Sequence, residues 1–191
     1  MSIMIDTVIA EALEVLKRGG VILYPTDTVW GIGCDATNEA AVARVFEIKR
    51  RSEAKSLVLL ACDLDMIAKH IKEIPNIAID LVEVNDAPMT IIYPGAQYLA
   101  PNVVAEDGGV GIRIPLNDFC VKLVRKLRRP LVSTSANISG EETPTCFAEI
   151  SPEIVSAVDY VVPAALERDS TGRASQIIKL GLRGEVEIIR P

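Results

Sequence analysis

Tyr24-Pro25-Thr26-Asp27-Thr28-Val29-Trp30-Gly31-Ile32-Gly33 decides how this chain is read. The apolar run Val21-Ile22-Leu23 leads into it, with Gly19-Gly20 before and Pro25 after, and such a run reads as a buried strand. Two threonines, an aspartate and a closing Gly-x-Gly follow at once. If the backbone stays extended, Thr26 and Thr28 share one face and Asp27 takes the other. Two neighbouring hydroxyls at the end of a buried strand suit a small polar ligand. By itself the stretch is equally an ordinary polar strand end, so its meaning depends on what the chain places beside it.

Working outward, Asp6 or Thr7 caps a first helix with Val8, Ile9, Ala12, Leu13 and Leu16 at helical spacing, stopped by Gly19-Gly20. Asn38 caps a second, carrying Val42, Val45 and Phe46 and ending in Lys49-Arg50-Arg51. Ser56 to Ala61 reads as a buried strand. Asp63 or Asp65 opens a short helix to His70, which is expected on the surface or at an edge. Pro75 precedes a helix over Ile77 to Val84. Met89 to Tyr93 and Val110 to Pro115 read as strands, and Asn117 caps a helix bearing Cys120, Leu123, Val124 and Leu127. Leu131-Val132 is a short strand, and Ser151-Pro152 starts a helix. Tyr160 to Pro163 is strand-like, and a closing hairpin joins Ser175–Leu180 to Glu185–Arg190 through Arg183-Gly184. Strands and helices interleave, but several neighbours are hairpin-like. The expected fold class is α/β: one domain over residues 1–191 with a twisted mixed β-sheet flanked by helices.

A second polar stretch, Ser133-Thr134-Ser135-Ala136-Asn137-Ile138-Ser139-Gly140, is expected to leave the strand as a loop. Small hydroxyl and amide side chains with free backbone N–H groups suit a phosphate or carboxylate. Arg113 sits inside an apolar strand and needs an anionic partner, because burying it unpaired is costly. Thr26/Thr28, Lys49/Arg51, Arg113 and Ser133-Ser135-Asn137 all fall at ends of expected strands or helices, where ligands collect in α/β sheets. The polar loop Glu167–Arg173 is a candidate lid.

Composition narrows the chemistry. The 191 residues are 49% apolar and 24% charged, which suits a globular protein. The net charge of −6 gives no broad basic surface, so any polyanion site must be local. Cys34, Cys62, Cys120 and Cys146 lack C-x-x-C spacing, which argues against zinc and fits a reducing cytoplasm. No signal peptide, membrane segment or membrane partner is expected. No P-loop, Gly-x-Ser-x-Gly elbow or triad histidine is present. What remains is cations, hydroxyls and amides, an inventory for positioning a polyanion such as a nucleoside triphosphate, with Mg²⁺ sharing the charge.

Four pieces in order, Tyr24 to Gly33, Lys49-x-Arg51, Gly111-Ile112-Arg113-Ile114-Pro115 and Ser135-Ala136-Asn137-x-Ser139-Gly140, resemble the YrdC-like family over nearly the whole chain, to Ile188-Ile189-Arg190-Pro191. The length matches the short, single-domain version. The resemblance implies a threonylcarbamoyl-AMP synthase. Such an enzyme joins L-threonine, bicarbonate or CO₂ and ATP, and releases pyrophosphate, for threonylcarbamoyl-adenosine in tRNA. It implies Lys49 and Arg51 as catalytic cations, and Lys49, Arg51, Ser135 and Asn137 at ATP with Thr143 and Arg190 helping. Thr28, with Thr26, and Arg113 would meet threonine, with Ser133 and Ser175 in the same pocket and Arg113 on the substrate carboxylate. Mg²⁺ would ride on the phosphates with no metal ligands from the chain, and the product would pass to threonylcarbamoyl-transferase proteins. Departures from the family pattern are Trp30 for a tyrosine, Ser52 for a proline, the Lys55-Ser56-Leu57 run, Leu60 for a threonine-touching histidine, and a threonine lost beside Ser175.

Two other readings remain. Family members are associated with double-stranded RNA binding, and Lys49, Arg50, Arg51 and Lys55 are the residues for a tRNA or double-stranded RNA backbone, against an acidic overall balance. A nucleotide-binding paralogue without this activity would keep the same fold.

Overall fold

A computed structural model describes residues 2–52, 57–168 and 170–191. In chain order it contains α1 (Ser2–Lys17), β1 (Ile22–Tyr24), β2 (Gly31–Gly33), α2 (Glu39–Ile48), β3 (Val58–Leu60), α3 (Leu64–His70), α4 (Asn76–Val84), β4 (Met89–Tyr93), β5 (Val110–Arg113), α5 (Asp118–Leu127), β6 (Leu131–Ser135), α6 (Pro152–Ala157), β7 (Tyr160–Val161), β8 (Gln176–Leu180) and β9 (Val186–Arg190). Among the described residues the strands form one mixed sheet in the order β7-β1-β2-β6-β3-β5-β4-β8-β9. Three pairs, β1–β7, β3–β5 and β4–β8, are parallel and the rest antiparallel. The mixed α/β architecture expected from the sequence is the one found. Among the described residues no helix is long and apolar enough to cross a membrane.

The caps explain most helix starts. Asn38 Oδ1 accepts from Ala41 N at 3.1 Å, Asp63 Oδ1 from Met66 N at 2.9 Å and Asn117 Oδ1 from Cys120 N at 3.0 Å, each satisfying an orphan first-turn amide. Thus Asp63, not Asp65, opens α3. Helix α1 begins well before Asp6, since no glycine or proline interrupts residues 2–6, and Ile5 packs against the core. Helix α2 stops at Ile48, because Arg50 takes a left-handed φ of 49° and turns the chain before Arg51.

Two stretches not read as strands from the sequence are strands. Gly31-Ile32-Gly33 pairs with β1 on one side and β6 on the other, and β6 runs through Ser133-Thr134 to Ser135 rather than ending at Val132. Ladder bonds use the backbone, so hydroxyl side chains and glycines do not prevent pairing when both neighbours are present. The glycines answer to space: a Cβ on Gly33 would lie 2.2 Å from the Val132 carbonyl oxygen and 2.7 Å from the Tyr24 ring. Strand β3 starts at Val58; Ser56 and Lys55 lie outside the described residues.

His70 is buried at 8% exposure, not at the surface, since Gln97 N bonds to its carbonyl and Ile71 bridges to Ala96 over it. Burial pushes its pKa down. Cys34, Cys62 and Cys120 are free and buried.

Candidate active site

A cavity of about 200 Å³ opens where β2, β3, β5, β6, β8 and β9 meet. Its walls carry Thr28, Arg51, Arg113, Ser133, Ser135, Ser175 and Arg190, seven of the residues singled out from the sequence. Trp30, Gly31, Thr134 and Ala174 line it as well. Three arginines and five hydroxyl side chains face this space, and among the described lining residues there is no carboxylate. The described lining is thus locally cationic in a chain that is acidic overall.

The threonine wall is a bend rather than extended chain. Thr26 Oγ1 donates to Val29 O at 2.7 Å and accepts from Thr28 N at 3.0 Å. With its single proton used, Thr26 Oγ1 is the acceptor in the 2.9 Å contact with Thr28 Oγ1, so Thr28 is the donor. Thr28 Oγ1 also accepts from Arg113 Nη2 at 3.1 Å, and one lone pair remains for a ligand N–H. Thr26 itself, 1% exposed, stiffens the bend and does not line the cavity.

Arg113 has its anion inside the protein. Its Nη1 donates to Asp27 Oδ1 at 2.7 Å and Oδ2 at 2.9 Å, and Asp27 Oδ2 also accepts from Leu116 N at 3.1 Å. The expectation that a ligand must explain this buried charge is corrected: Asp27 does, and it fixes the guanidinium at the cavity wall. Sequence reasoning passed over Asp27. The signal was partial: an arginine inside an apolar strand requires an anionic partner, but Asp27 stands among threonines and 86 residues separate the two. The segment expected as a lid is pinned to this bend. Ser170 Oγ donates to Thr28 O, Thr171 N to Asp27 O at 3.0 Å and Gly172 N to Thr28 O at 2.9 Å. Asp169 lies outside the described residues.

The opposite wall comes from β8 and β9. Ser175 Oγ shares a hydrogen bond of 2.7 Å with Thr90 Oγ1, another residue not foreseen, and Arg190 Nε donates to Ser175 O at 2.8 Å. Burial lowers the pKa of Arg51 and Arg190, the mark of guanidinium charges partly stripped of water. Lys49 and Asn137 stand behind the wall, not on it. Thr143 is exposed in the loop after β6 and is not brought to the cavity. Arg50 pairs with Glu153 outside it.

A second groove of about 310 Å³ continues from the first, sharing Leu57, Val58 and Ile177. It is walled by Ile92, Val110 and Ile189, and the 2.6 Å Lys179–Asp107 ion pair crosses it. A polar, cationic chamber thus joins an apolar trough.

The family model described as "Telomere recombination" (Sua5, YciO and YrdC) matches residues 14–191. Threonylcarbamoyl-AMP synthase of Hahella chejuensis is 33% identical over 159 residues, 83% of this chain and 86% of that one. The enzyme of the same name from Xanthomonas euvesicatoria is 36% identical over 163 residues, 83% and 87% of the two chains. Among solved structures, a variant of P. abyssi Sua5 superposes with a TM-score of 0.87 at 27% identity, covering 96% of this chain but only 56% of that one. P. abyssi Sua5 complexed with L-threonine gives 0.80 at 26% identity, with 90% and 50% covered, so this chain spans about half the length of Sua5. With the family model matching residues 14–191 and relatives a third identical over most of both chains, the chain belongs to the Sua5/YciO/YrdC family.

Proposed function

We propose that this chain is a threonylcarbamoyl-AMP synthase: it joins L-threonine, CO₂ or bicarbonate and ATP into L-threonylcarbamoyl-AMP and releases pyrophosphate. The observation that carries the reading is the cationic, hydroxyl-lined chamber without a described carboxylate, continuous with an apolar trough. Relatives about a third identical over most of their length bear this name, and the related Sua5 structure holds L-threonine.

The reaction suits such a site. The threonine nitrogen adds to the carbon of CO₂ and releases a proton. An oxygen of the resulting carbamate attacks the α-phosphorus of ATP, and the bond to the bridging oxygen of pyrophosphate breaks. No enzyme nucleophile is required, so the chain's work is positioning and charge stabilisation. Thr28 offers its free lone pair to the amino N–H, and Arg113, held by Asp27 at the cavity wall, offers its positive charge to the substrate carboxylate, with Ser133 and Ser175 alongside. Arg51, Ser135 and Arg190 take the phosphates, with Asn137 and Thr143 reached on binding, and the apolar trough takes the nucleoside. Mg²⁺ would enter with ATP and would supply charge neutralisation on the phosphates. The product would pass to proteins that transfer threonylcarbamoyl to tRNA, placing the chain in the cytoplasm.

The test is pyrophosphate release from Mg·ATP by the purified protein. Release that requires both L-threonine and bicarbonate supports the reading. Release no greater than in the threonine-free control overturns it.

A further inference from the structure

Lys49 is among the most deeply buried charged residues described, 1% exposed, and is not among the residues that line the cavity. Its Nζ donates to the carbonyl oxygen of Ser135, to that of Asn137 at 2.7 Å and toward Asn137 Oδ1 at 3.5 Å. Its own carbonyl accepts from Ser139 N at 2.9 Å. Both ends of the residue therefore grip the segment 135–139. An ammonium has three donors and no acceptor; two are spent on the Ser135 and Asn137 carbonyls and the third points toward Asn137 Oδ1, so its donors are turned to this segment. Arg51, two residues on and turned by the left-handed Arg50, is on the cavity wall instead.

We propose that Lys49 is a positioning residue rather than a nucleotide ligand: its ammonium gathers the carbonyls of Ser135 and Asn137 and so builds the turn that presents Ser135 to the anion. The division within Lys49-x-Arg51 is then structural cation first, ligand cation second. The ligand part of this inference rests on the synthase reading, in which the anion is ATP. The turn-building part does not, because it concerns the protein without ligand.

Two observations separate the roles. In ligand-free protein, Lys49→Met is expected to speed amide hydrogen exchange at Ser139 and Glu141 at least 10-fold. Lys49→Gln keeps an N–H donor without the charge and is expected to stay within about 3-fold of the parent chain, since uncharged hydrogen bonds retain part of the strength of charge-assisted ones. Unchanged exchange in Lys49→Met overturns the proposal, as does equal acceleration in both variants. For ATP, calorimetry on Lys49→Met, Ser135→Ala and the double variant is expected to be non-additive, with Ser135→Ala costing less than 2-fold once Lys49 is gone. Independent, multiplying losses would mark Lys49 as a direct ligand. In the unsubstituted protein, Mg·ATP is expected to move the Arg51 Nε resonance more than the Lys49 Nζ resonance. The reverse order overturns the proposal even if neither variant folds. A protein that binds no ATP at all would fail the synthase reading while the exchange experiment still decides the role of Lys49.

Discussion

Asp27→Ala is the sharpest perturbation of the site's frame. Asp27 and Arg113 have side chains only 6% and 3% exposed, and Arg113 Nη1 contacts both carboxylate oxygens. Removing one partner of a buried ion pair strands the other and costs about 3–5 kcal/mol. The hydroxyls of Thr26 and Thr28 still accept from Nη2, at 3.4 and 3.1 Å, which places the expectation at the lower end, about 3 kcal/mol. For a chain of this length each kcal/mol lowers Tm by about 2–4 °C, so the melting point should fall by about 6–12 °C. Thermal unfolding followed by circular dichroism reads this directly. Arg113→Met placed in the same chain removes the stranded charge and should recover most of the loss, because a buried pair replaced as a unit is far less costly than a broken one. A fall below about 3 °C for Asp27→Ala, or a double variant that melts at the sum of the two single losses, would refute the pair as the element that fixes Arg113.

Three further outcomes follow. Gly33→Ala drives a methyl against the Val132 carbonyl and the Tyr24 ring, where the gaps are 2.2 and 2.7 Å, and should cost at least about 2 kcal/mol in urea unfolding; Gly31→Ala, 3.3 Å from Ser133 Oγ, should cost less but weaken ligand binding. Burial first, and the charge of Arg51 second, push the Lys49 pKa down to about 8, so its Nζ should titrate near there by NMR rather than near the ordinary lysine value of about 10.4. The folded chain thus releases this proton before the unfolded chain does, and the stability of the parent relative to Lys49→Met should rise between about pH 8 and 10.5, by at most about 3 kcal/mol; a flat difference would contradict the burial. Thr28→Ala should raise the KM for threonine about 10-fold with little change for ATP, and Arg51→Ala the reverse, read from steady-state kinetics, since a lost hydrogen bond to a charged group is worth about 1.5–3 kcal/mol.

Local signals in the sequence reached far, and stopped where long-range pairing took over. Asn38 and Asn117 were readable as caps because the amide they satisfy is three residues away. Strand β1 was readable from its apolar run. Strand β2 was not, because Gly31 and Gly33 have no side chains to show a pattern, and their place is set by Tyr24 and by Val132 about a hundred residues later. The polar half of β6 was hidden for a related reason: Ser133 and Ser135 pair through backbone with β3 and β2 while their hydroxyls turn to the cavity. At the site, charge and hydroxyl content pointed to the right walls, and seven of the named residues meet in one space. Which cation faces the ligand was beyond the sequence, since the left-handed turn at Arg50 that separates Lys49 from Arg51 leaves no mark on residue type. Asp27 was hidden by its distance along the chain from Arg113.

The most direct measurement is mass analysis of the small-molecule product after incubation with Mg·ATP, L-threonine and ¹³C-bicarbonate. A threonylcarbamoyl-AMP species carrying one ¹³C, formed together with pyrophosphate and reduced at sub-saturating ATP by Arg51→Ala, is expected. ATP turnover that yields no carbon-labelled adenylate, or a labelled adenylate formed equally well without threonine, would contradict it.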